Sequence, residues 1–188
     1  MHKLAISDGW LTRAEQCRSA NFNQRPPGQT PRLLVIHNIS LPPGKFGGGY
    51  IQDFFLNRLD TTADPYFTTI EALQVSAHLL IERGGQMVQF VSFDQRAWHA
   101  GQSSYRGCDN CNDFSIGIEL EGADDIPYTE QQYQQLARVT AALLRYYPDL
   151  TAEQIAGHAE IAPQRKTDPG AAFNWRYFSQ HLRKEVSG

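Results

Sequence analysis

Residues 115–121 of this chain read Ser115-Ile116-Gly117-Ile118-Glu119-Leu120-Glu121. Apolar residues alternate strictly with small or acidic ones, and a period of two is the pattern of a β-strand. The two isoleucines and the leucine therefore share one face, which we expect to pack in the core. The serine, the glycine and the two glutamates share the other face, which we expect to be polar.

A second strand is predicted upstream, because residues 33–36 form a β-branched apolar run that precedes the loop Pro42-Pro43-Gly44. We expect this strand to end near His37. The segment from Leu41 to Tyr50 contains three consecutive glycines, which favours a mobile rim over a regular element.

A hairpin is predicted further along the chain. Two strand-like runs, 75–81 and 87–93, are joined by Arg83-Gly84-Gly85-Gln86, and the two glycines supply the positive φ that a tight turn needs. Thr129, with Gln132 three residues later, forms a capping box that predicts the start of a long helix.

The remaining elements complete an α/β (α+β) pattern without regular βα alternation. The long helix is expected to stop at Pro148, and shorter helices are predicted around residues 51–59 and from about Asn174. This pattern favours a central mixed β-sheet flanked by helices. We expect residues 1–188 to form one domain, in which about the first 32 residues are an irregular lead-in.

Composition excludes several classes of protein. The 188 residues carry 17 basic and 20 acidic side chains, a formal net charge of −3, which argues against a nucleic-acid binder with a broad cationic face. No apolar run approaches the roughly 20 residues of a spanning helix. Three cysteines and the lack of a signal-like start indicate a cytoplasmic protein. We expect a monomer with a small-molecule substrate and no membrane or nucleic-acid partner.

The densest polar cluster follows His158 and reads Lys166-Thr167-Asp168-Pro169-Gly170. Proline favours an extended residue before it, and residues two apart in an extended segment point the same way, so Lys166 and Asp168 should face one volume. His37, His158 and Asp168 together offer two imidazoles and one carboxylate. Three protein ligands are the usual donor set of a catalytic zinc site.

Spacing alone leaves alternatives open at each of these positions. A histidine at a strand end is more often simply hydrogen-bonded than a metal ligand, and His78 and His99 are rival candidates. Glu119 and Glu121 share one strand face, so alternation does not distinguish between them. Cys108-Asp109-Asn110-Cys111 is a C-x-x-C motif that fits a redox pair or half of a zinc clamp, with no second pair to complete the clamp.

Four motifs in order point to a known family. They are Val35-Ile36-His37-Asn38-Ile39-Ser40-Leu41-Pro42-Pro43-Gly44, Arg96-Ala97-Trp98-His99-Ala100-Gly101, Asn112-Asp113-Phe114-Ser115-Ile116-Gly117-Ile118-Glu119-Leu120-Glu121-Gly122, and Gly157-His158 through Lys166-Thr167-Asp168-Pro169-Gly170. Over roughly residues 33–178 the chain resembles the N-acetylmuramoyl-L-alanine amidase family, which includes peptidoglycan recognition proteins and phage T7-type lysozymes. It is most similar to the cytoplasmic branch that acts on 1,6-anhydro-N-acetylmuramyl-L-alanine.

The resemblance implies a fold, a cofactor and roles for individual residues. The fold is the peptidoglycan-recognition-protein/T7-lysozyme-like amidase fold, and the cofactor is Zn²⁺. In this branch the zinc ligands are two histidines and an aspartate, which fall on His37, His158 and Asp168. The catalytic carboxylate of the family falls on Glu119, and its partner lysine falls on Lys166.

The implied reaction is zinc-dependent hydrolysis of the amide bond between the lactyl group of 1,6-anhydro-N-acetylmuramic acid and L-alanine in muropeptides, during cell-wall recycling. Stem-peptide carboxylates need cationic or amide partners, for which Asn38 and Arg106 are candidates. Trp98 offers a face for the sugar ring, and His99 beside it belongs to a motif near the family's groove. Each of these residues also has an ordinary explanation as a surface or core residue.

Two other functions compete with this one. The first is an endolysin-like amidase that acts on polymeric peptidoglycan. The absence of a wall-binding repeat from the sequence argues against it. The second is a peptidoglycan-binding module without catalysis, against which the retention of all three expected ligands argues. The substrates cleaved and the metal bound distinguish the three.

Overall fold

The computed structural model describes residues 3–187. The strands are β1 (Ile6–Ser7), β2 (Trp10–Leu11), β3 (Glu15–Gln16), β4 (Phe22–Asn23), β5 (Leu33–Ile39), β6 (Leu79–Ile81), β7 (Met87–Gln89), β8 (Arg96–Ala97), β9 (Ser104–Tyr105), β10 (Cys108–Asp109), β11 (Ser115–Glu121) and β12 (Ile155–Gly157). The helices are α1 (Tyr50–Phe55), α2 (Glu130–Tyr146), α3 (His158–Ile161) and α4 (Trp175–Ser187), with 3₁₀ helices at Pro65–Thr69 and Cys111–Asp113. One mixed sheet has the order β12-β5-β11-β6-β7-β3, which confirms the predicted central sheet.

The centre of the sheet is the parallel pair of β5 and β11. β11 has the predicted bounds, and β5 extends two residues beyond His37. Their register places Glu119 opposite His37. Because β12 also runs parallel to β5, the carboxyl ends of β12, β5 and β11 lie at the same edge of the sheet.

The two faces of β11 meet different surroundings. Its isoleucines and leucine pack with α2 and α4 in a core that includes Leu136, Leu143 and Phe178. Truncating such a residue to alanine typically costs about 2–5 kcal/mol. The opposite face is polar as predicted, but all seven residues of β11 are buried. The polar face therefore lies beneath other chain segments, and alternation gave no sign of that cover.

The hairpin is confirmed, with strands shorter than predicted. β6 and β7 pair antiparallel, and their turn is closed by hydrogen bonds between Glu82 and Gln86 and between Glu82 and Gly85, whose φ is 86°. The ladder ends because the amides of Phe90 and Val91 both donate to the carbonyl of His78.

The helices follow their predicted signals. Thr129 Oγ1 accepts a hydrogen bond from the Gln132 amide, and Gln132 Oε1 accepts one from the Thr129 amide, which completes the capping box of α2. α2 ends at Tyr146, two residues before Pro148, and α4 starts at Trp175. α1 is shorter than the predicted stripe, which extended to Leu59.

The first 32 residues are more ordered than the expected irregular lead-in. β1 pairs with β2, β3 pairs with β7, and β4 pairs with β8. The Arg25 guanidinium donates to the carbonyls of Phe93, Asn112, Asp113 and Ser115. Strands of only two residues depend on hydrogen bonds to a partner strand, so local composition did not predict them. Within the described residues, no helix is both long and apolar enough to cross a membrane.

Candidate metal centre and active site

Three side chains converge at the carboxyl edge of the sheet. His37 lies near the end of β5, His158 is the first residue of α3 directly after β12, and Asp168 lies in the loop before α4. His37 Nδ1 is 2.9 Å from His158 Nδ1, and each of these atoms is 3.1 Å from Asp168 Oδ2. The structure thus brings together the three residues that the sequence suggested as ligands.

This donor set fits a divalent metal ion such as zinc. Zinc takes histidine nitrogen at about 2.0–2.1 Å in a tetrahedron, which puts neighbouring donors roughly 3.3 Å apart. The three donor atoms lie close to that spacing. His158 Nε2 is 3.1 Å from the Ala100 carbonyl, which can only accept, so Nε2 carries the proton and a neutral His158 presents a free lone pair at Nδ1.

The surroundings favour the ligand forms of these groups. Burial lowers the pKa of His37 to about 4, so the imidazole is neutral at physiological pH. Burial alone would raise the pKa of Asp168, but hydrogen bonds with His158 and His37 hold it well below its usual range. Metal ligands must be deprotonated, and the shifted pKa values of His37 and Asp168 favour that form near neutral pH.

Glu119 faces the same cavity from the neighbouring strand. Its side chain is buried, and its Oε2 atom has no hydrogen-bond partner among residues 3–187. Burial raises the pKa of Glu119 well above its usual value, Asp168 raises it further, and Lys166 lowers it. A carboxylate with a raised pKa in a cleft suits proton transfer near neutral pH.

Glu121, two residues further on the same face, has a different environment. Its Oε1 accepts a hydrogen bond of 2.5 Å from the Gly47 amide, and its Oε2 accepts one of 3.0 Å from the Arg83 amide. Both carboxylate oxygens are therefore used to hold the glycine-rich loop against the hairpin turn. The two glutamates that alternation could not distinguish therefore differ in their hydrogen bonds, and only Glu119 has an oxygen without a partner among residues 3–187.

Lys166 and Asp168 both line the cavity, as the extended segment predicted. Lys166 forms no ion pair with Asp168 in the described part of the chain, so the alternative of a simple bridge between them is not observed. Alternation in an extended segment would turn Thr167 away from this volume, but Thr167 lines the cavity as well.

The cavity has a volume of about 930 Å³. Asn38 and Trp98 line it, as expected of substrate contacts, although the Asn38 amide donates to Asp124 Oδ1 at 2.8 Å and Trp98 Nε1 donates to Asn23. Arg106 is not among the lining residues. Its guanidinium is exposed, donates to the Glu153 carbonyl and lies over the Tyr105 ring, so the geometry does not support the predicted substrate contact.

Two charged residues of the cavity lining, Asp124 and Arg165, were missed by sequence reasoning. Asp124 follows the end of β11, and Arg165 directly precedes Lys166. The Arg165 guanidinium donates to the carbonyls of Ala100 and Gln102, which fixes it at the rim. Adjacency to predicted site residues was the signal that could have found them.

The rival histidines, His78 and His99, do not belong to the donor cluster. His78 Nδ1 accepts from the Gly117 amide and its Nε2 donates to the Gln95 carbonyl. His99 lines the cavity, but Nδ1 meets His37 Nε2 at 2.9 Å and Nε2 meets Ser115 Oγ at 3.1 Å.

The C-x-x-C motif spans a short strand and a 3₁₀ helix. Cys108 is exposed in β10, and Cys111 is buried at the start of the 3₁₀ helix that precedes β11. Both are free thiols in the structure. Neither residue belongs to the His-His-Asp cluster, so the motif takes no part in the candidate metal centre.

The fold and the cluster at the carboxyl edge of its sheet define a class of hydrolase, and comparison with known proteins identifies it. Residues 27–171 match the family model of N-acetylmuramoyl-L-alanine amidases, and the chain belongs to that family. This confirms the resemblance seen in the sequence.

The similarity to particular members extends over nearly the whole chain. The 1,6-anhydro-N-acetylmuramyl-L-alanine amidase AmpD of Escherichia coli (strain K12) is 54% identical over 184 residues, which cover 98% of this chain and 100% of that protein. A crystal structure of a Se-Met AmpD derivative has a TM-score of 0.92 at 54% identity and covers 94% of this chain and 98% of its own. The crystal structure of AmpDh3 from Pseudomonas aeruginosa, in complex with anhydromuramic pentapeptide, has a TM-score of 0.59 at 29% identity. The match covers 80% of this chain and 59% of AmpDh3.

Proposed function

We propose that this protein is a zinc-dependent amidase that cleaves the bond between the lactyl group of 1,6-anhydro-N-acetylmuramic acid and L-alanine in muropeptides, in cell-wall recycling. The observation that carries the proposal is the convergence of His37, His158 and Asp168 beside a buried Glu119 with a free carboxylate oxygen. The names of the relatives support the choice of substrate.

Zinc held by this triad would lower the pKa of a coordinated water from 15.7 to about 7 and polarise a carbonyl oxygen. Glu119 then has a defined task. Its unpartnered Oε2 accepts the proton of the attacking water, and the protonated carboxyl returns that proton to the nitrogen of the leaving L-alanine. The raised pKa of Glu119 makes its carboxylate a stronger base for the first step.

Lys166 would supply positive charge to the carbonyl oxygen of the substrate. Its ammonium lies close enough to Glu119 and His37 to lower the pKa of both, and it has no ion-pair partner in the described residues that would occupy it. It would therefore stabilise the negative charge that develops on the carbonyl oxygen. One well-placed donor of this kind is typically worth roughly 10²- to 10³-fold in rate.

The rest of the cavity would bind the remainder of the substrate. Trp98 presents an aromatic side chain suited to a sugar ring, and Asn38 presents an amide suited to the peptide. AmpDh3 is known in complex with anhydromuramic pentapeptide, which supports the same substrate class here. A single domain, a monomeric state and a cytoplasmic location remain predictions from the sequence.

The proposal is tested with purified protein by zinc analysis and by mass spectrometry of the products. We expect one zinc per chain and release of the stem peptide from an anhydromuropeptide, at a higher rate than from intact sacculi. His37→Ala is the control, and it should lose both metal and turnover. Stoichiometric zinc without hydrolysis would leave only a binding module, and a preference for sacculi would favour an endolysin-like amidase.

A further inference from the structure

We propose that His99 is a positioning residue that, together with Ser115, fixes the tautomer in which His37 can bind the metal. The proposal rests on the zinc-amidase function above. His37 Nε2, the nitrogen that faces away from Asp168 and His158, is 2.9 Å from His99 Nδ1, and His99 Nε2 is 3.1 Å from Ser115 Oγ. The two rings meet edge to face, with centroids 5.0 Å apart.

The direction of these hydrogen bonds follows from proton counting. A neutral imidazole carries one N–H and one lone pair, so His37 can offer its Nδ1 lone pair to a metal only when Nε2 carries the proton. That proton is then donated to His99 Nδ1. A neutral His99 must in turn carry its own proton on Nε2, which donates to the Ser115 oxygen. Each donor in this order meets an acceptor.

The opposite direction is also satisfied, but it blocks the metal. With the Ser115 hydroxyl donating to His99 Nε2, His99 Nδ1–H would donate to His37 Nε2. The His37 proton would then sit on Nδ1, 3.1 Å from Asp168 Oδ2. Changing direction transfers no net proton, because each ring keeps one. Only the first direction, in which His99 Nδ1 accepts, leaves His37 Nδ1 free for a metal, so the metal-binding tautomer of His37 depends on His99 as an acceptor.

The His99 ring is held in place by close packing. A Cβ atom at Gly117 would lie 2.4 Å from His99 Cγ and Nδ1, so the ring lies directly on the backbone of β11, where no side chain fits. The His99 amide donates to Asn112 Oδ1 at 3.1 Å. The ring is thereby presented to His37 as a fixed acceptor.

Zinc affinity, measured by competition with a chelator and without substrate, tests this role. His99→Leu removes the acceptor, and we expect zinc to bind about 10- to 100-fold more weakly, the usual cost of losing such an outer partner. His99→Asn can place a carbonyl oxygen near the former Nδ1 position and should recover most of the affinity. His78→Leu is the matched control for packing, because the His78 ring lies edge to face with His99, with centroids 5.6 Å apart, while its hydrogen bonds go to Gln95 and Gly117, and it should retain most of the wild-type affinity. Equal losses in His99→Leu and His78→Leu would indicate general packing and overturn the proposal.

Nitrogen NMR of the zinc-loaded wild-type protein tests the tautomer directly and does not depend on the folding of any variant. We expect His99 to be neutral, with its proton on Nε2. A proton on His99 Nδ1 in the zinc-loaded protein, or unchanged zinc affinity in His99→Leu, would refute the positioning role of His99. A wild-type protein that binds no zinc would instead refute the proposed function.

Discussion

Glu119 and Glu121 occupy the same face of the same strand, and their side chains are 8% and 5% exposed. Burial therefore does not distinguish them. The amides of Gly47 and Arg83 bind both oxygens of Glu121, whereas one oxygen of Glu119 is left without a partner beside the His-His-Asp cluster. Two identical residues at equal depth thus differ in their neighbouring donors, which occupy both oxygens of Glu121 and leave one oxygen of Glu119 available for the role proposed for it.

The largest expected effect is that of Glu119→Gln. The amide cannot accept the proton of water as a carboxylate does, so turnover of an anhydromuropeptide should fall by about 10²- to 10⁴-fold. Bound zinc should be unchanged, because Glu119 is not one of the clustered ligands. Turnover and zinc content are measured on the same preparation, and near-native turnover would remove Glu119 from the mechanism.

Lys166→Met should produce the next largest effect. The variant keeps a similar chain length and loses the charge near the cavity, so turnover should fall by roughly 10²- to 10³-fold with zinc retained. A change confined to KM would mean that Lys166 binds the substrate and does not stabilise the transition state. Arg106→Ala serves as the control, because this exposed arginine lies outside the cavity, and its turnover should match the wild type.

Glu121→Gln should act on stability more than on turnover. The carboxylate of Glu121 now accepts hydrogen bonds from two backbone N–H groups. The side-chain nitrogen of the introduced glutamine would face one of these N–H groups, so one charged hydrogen bond is lost. The free energy of unfolding should fall by about 1.5–3 kcal/mol in denaturant titrations. Turnover should change by much less than in Glu119→Gln. A reversed order of the two effects would contradict the roles given to the two residues.

The smallest expected effect is a pH dependence of stability in the metal-free protein. The pKa of Glu119 is raised in the folded state, so the folded protein binds this proton more tightly than the unfolded chain. The free energy of unfolding should therefore fall as pH rises from the ordinary glutamate pKa towards the raised one, by at most about 1.4 kcal/mol per pH unit. Glu119→Gln should lack this contribution. Parallel pH curves for the two proteins in denaturant titrations would argue against the raised pKa.

Sequence patterns predicted the elements that specify themselves locally. The alternation of β11, the glycine turn after β6 and the capping box of α2 are each encoded within a few residues, and each was found where expected. Family resemblance then separated Glu119 from Glu121, which the alternation could not do. β3 and β4 were missed because their partner strands lie far along the chain, and β1 and β2, which pair with each other, were missed because two-residue strands carry too short a pattern.

The candidate ligands were predicted from the family resemblance, because histidine counting alone left His78 and His99 open. The resemblance pointed to His37, His158 and Asp168, and the structure brings them together. The assignment of Arg106 to the substrate rested on its charge alone, and the charge of a residue does not indicate where its side chain lies in the fold. The contact between His99 and Gly117 depends on the distance between two segments, which no local pattern contains.

The parallel pairing of β3 with β7 has a consequence for self-association. A strand at the border of a sheet exposes unpaired amides and carbonyls that can recruit a second chain into a growing aggregate. Here the border beside β7 is covered by Glu15 and Gln16, a two-residue strand with exposed polar side chains. Such a short, polar border offers little template for further strands. The N-terminal segment thus covers the border beside β7 and disfavours edge-to-edge assembly there.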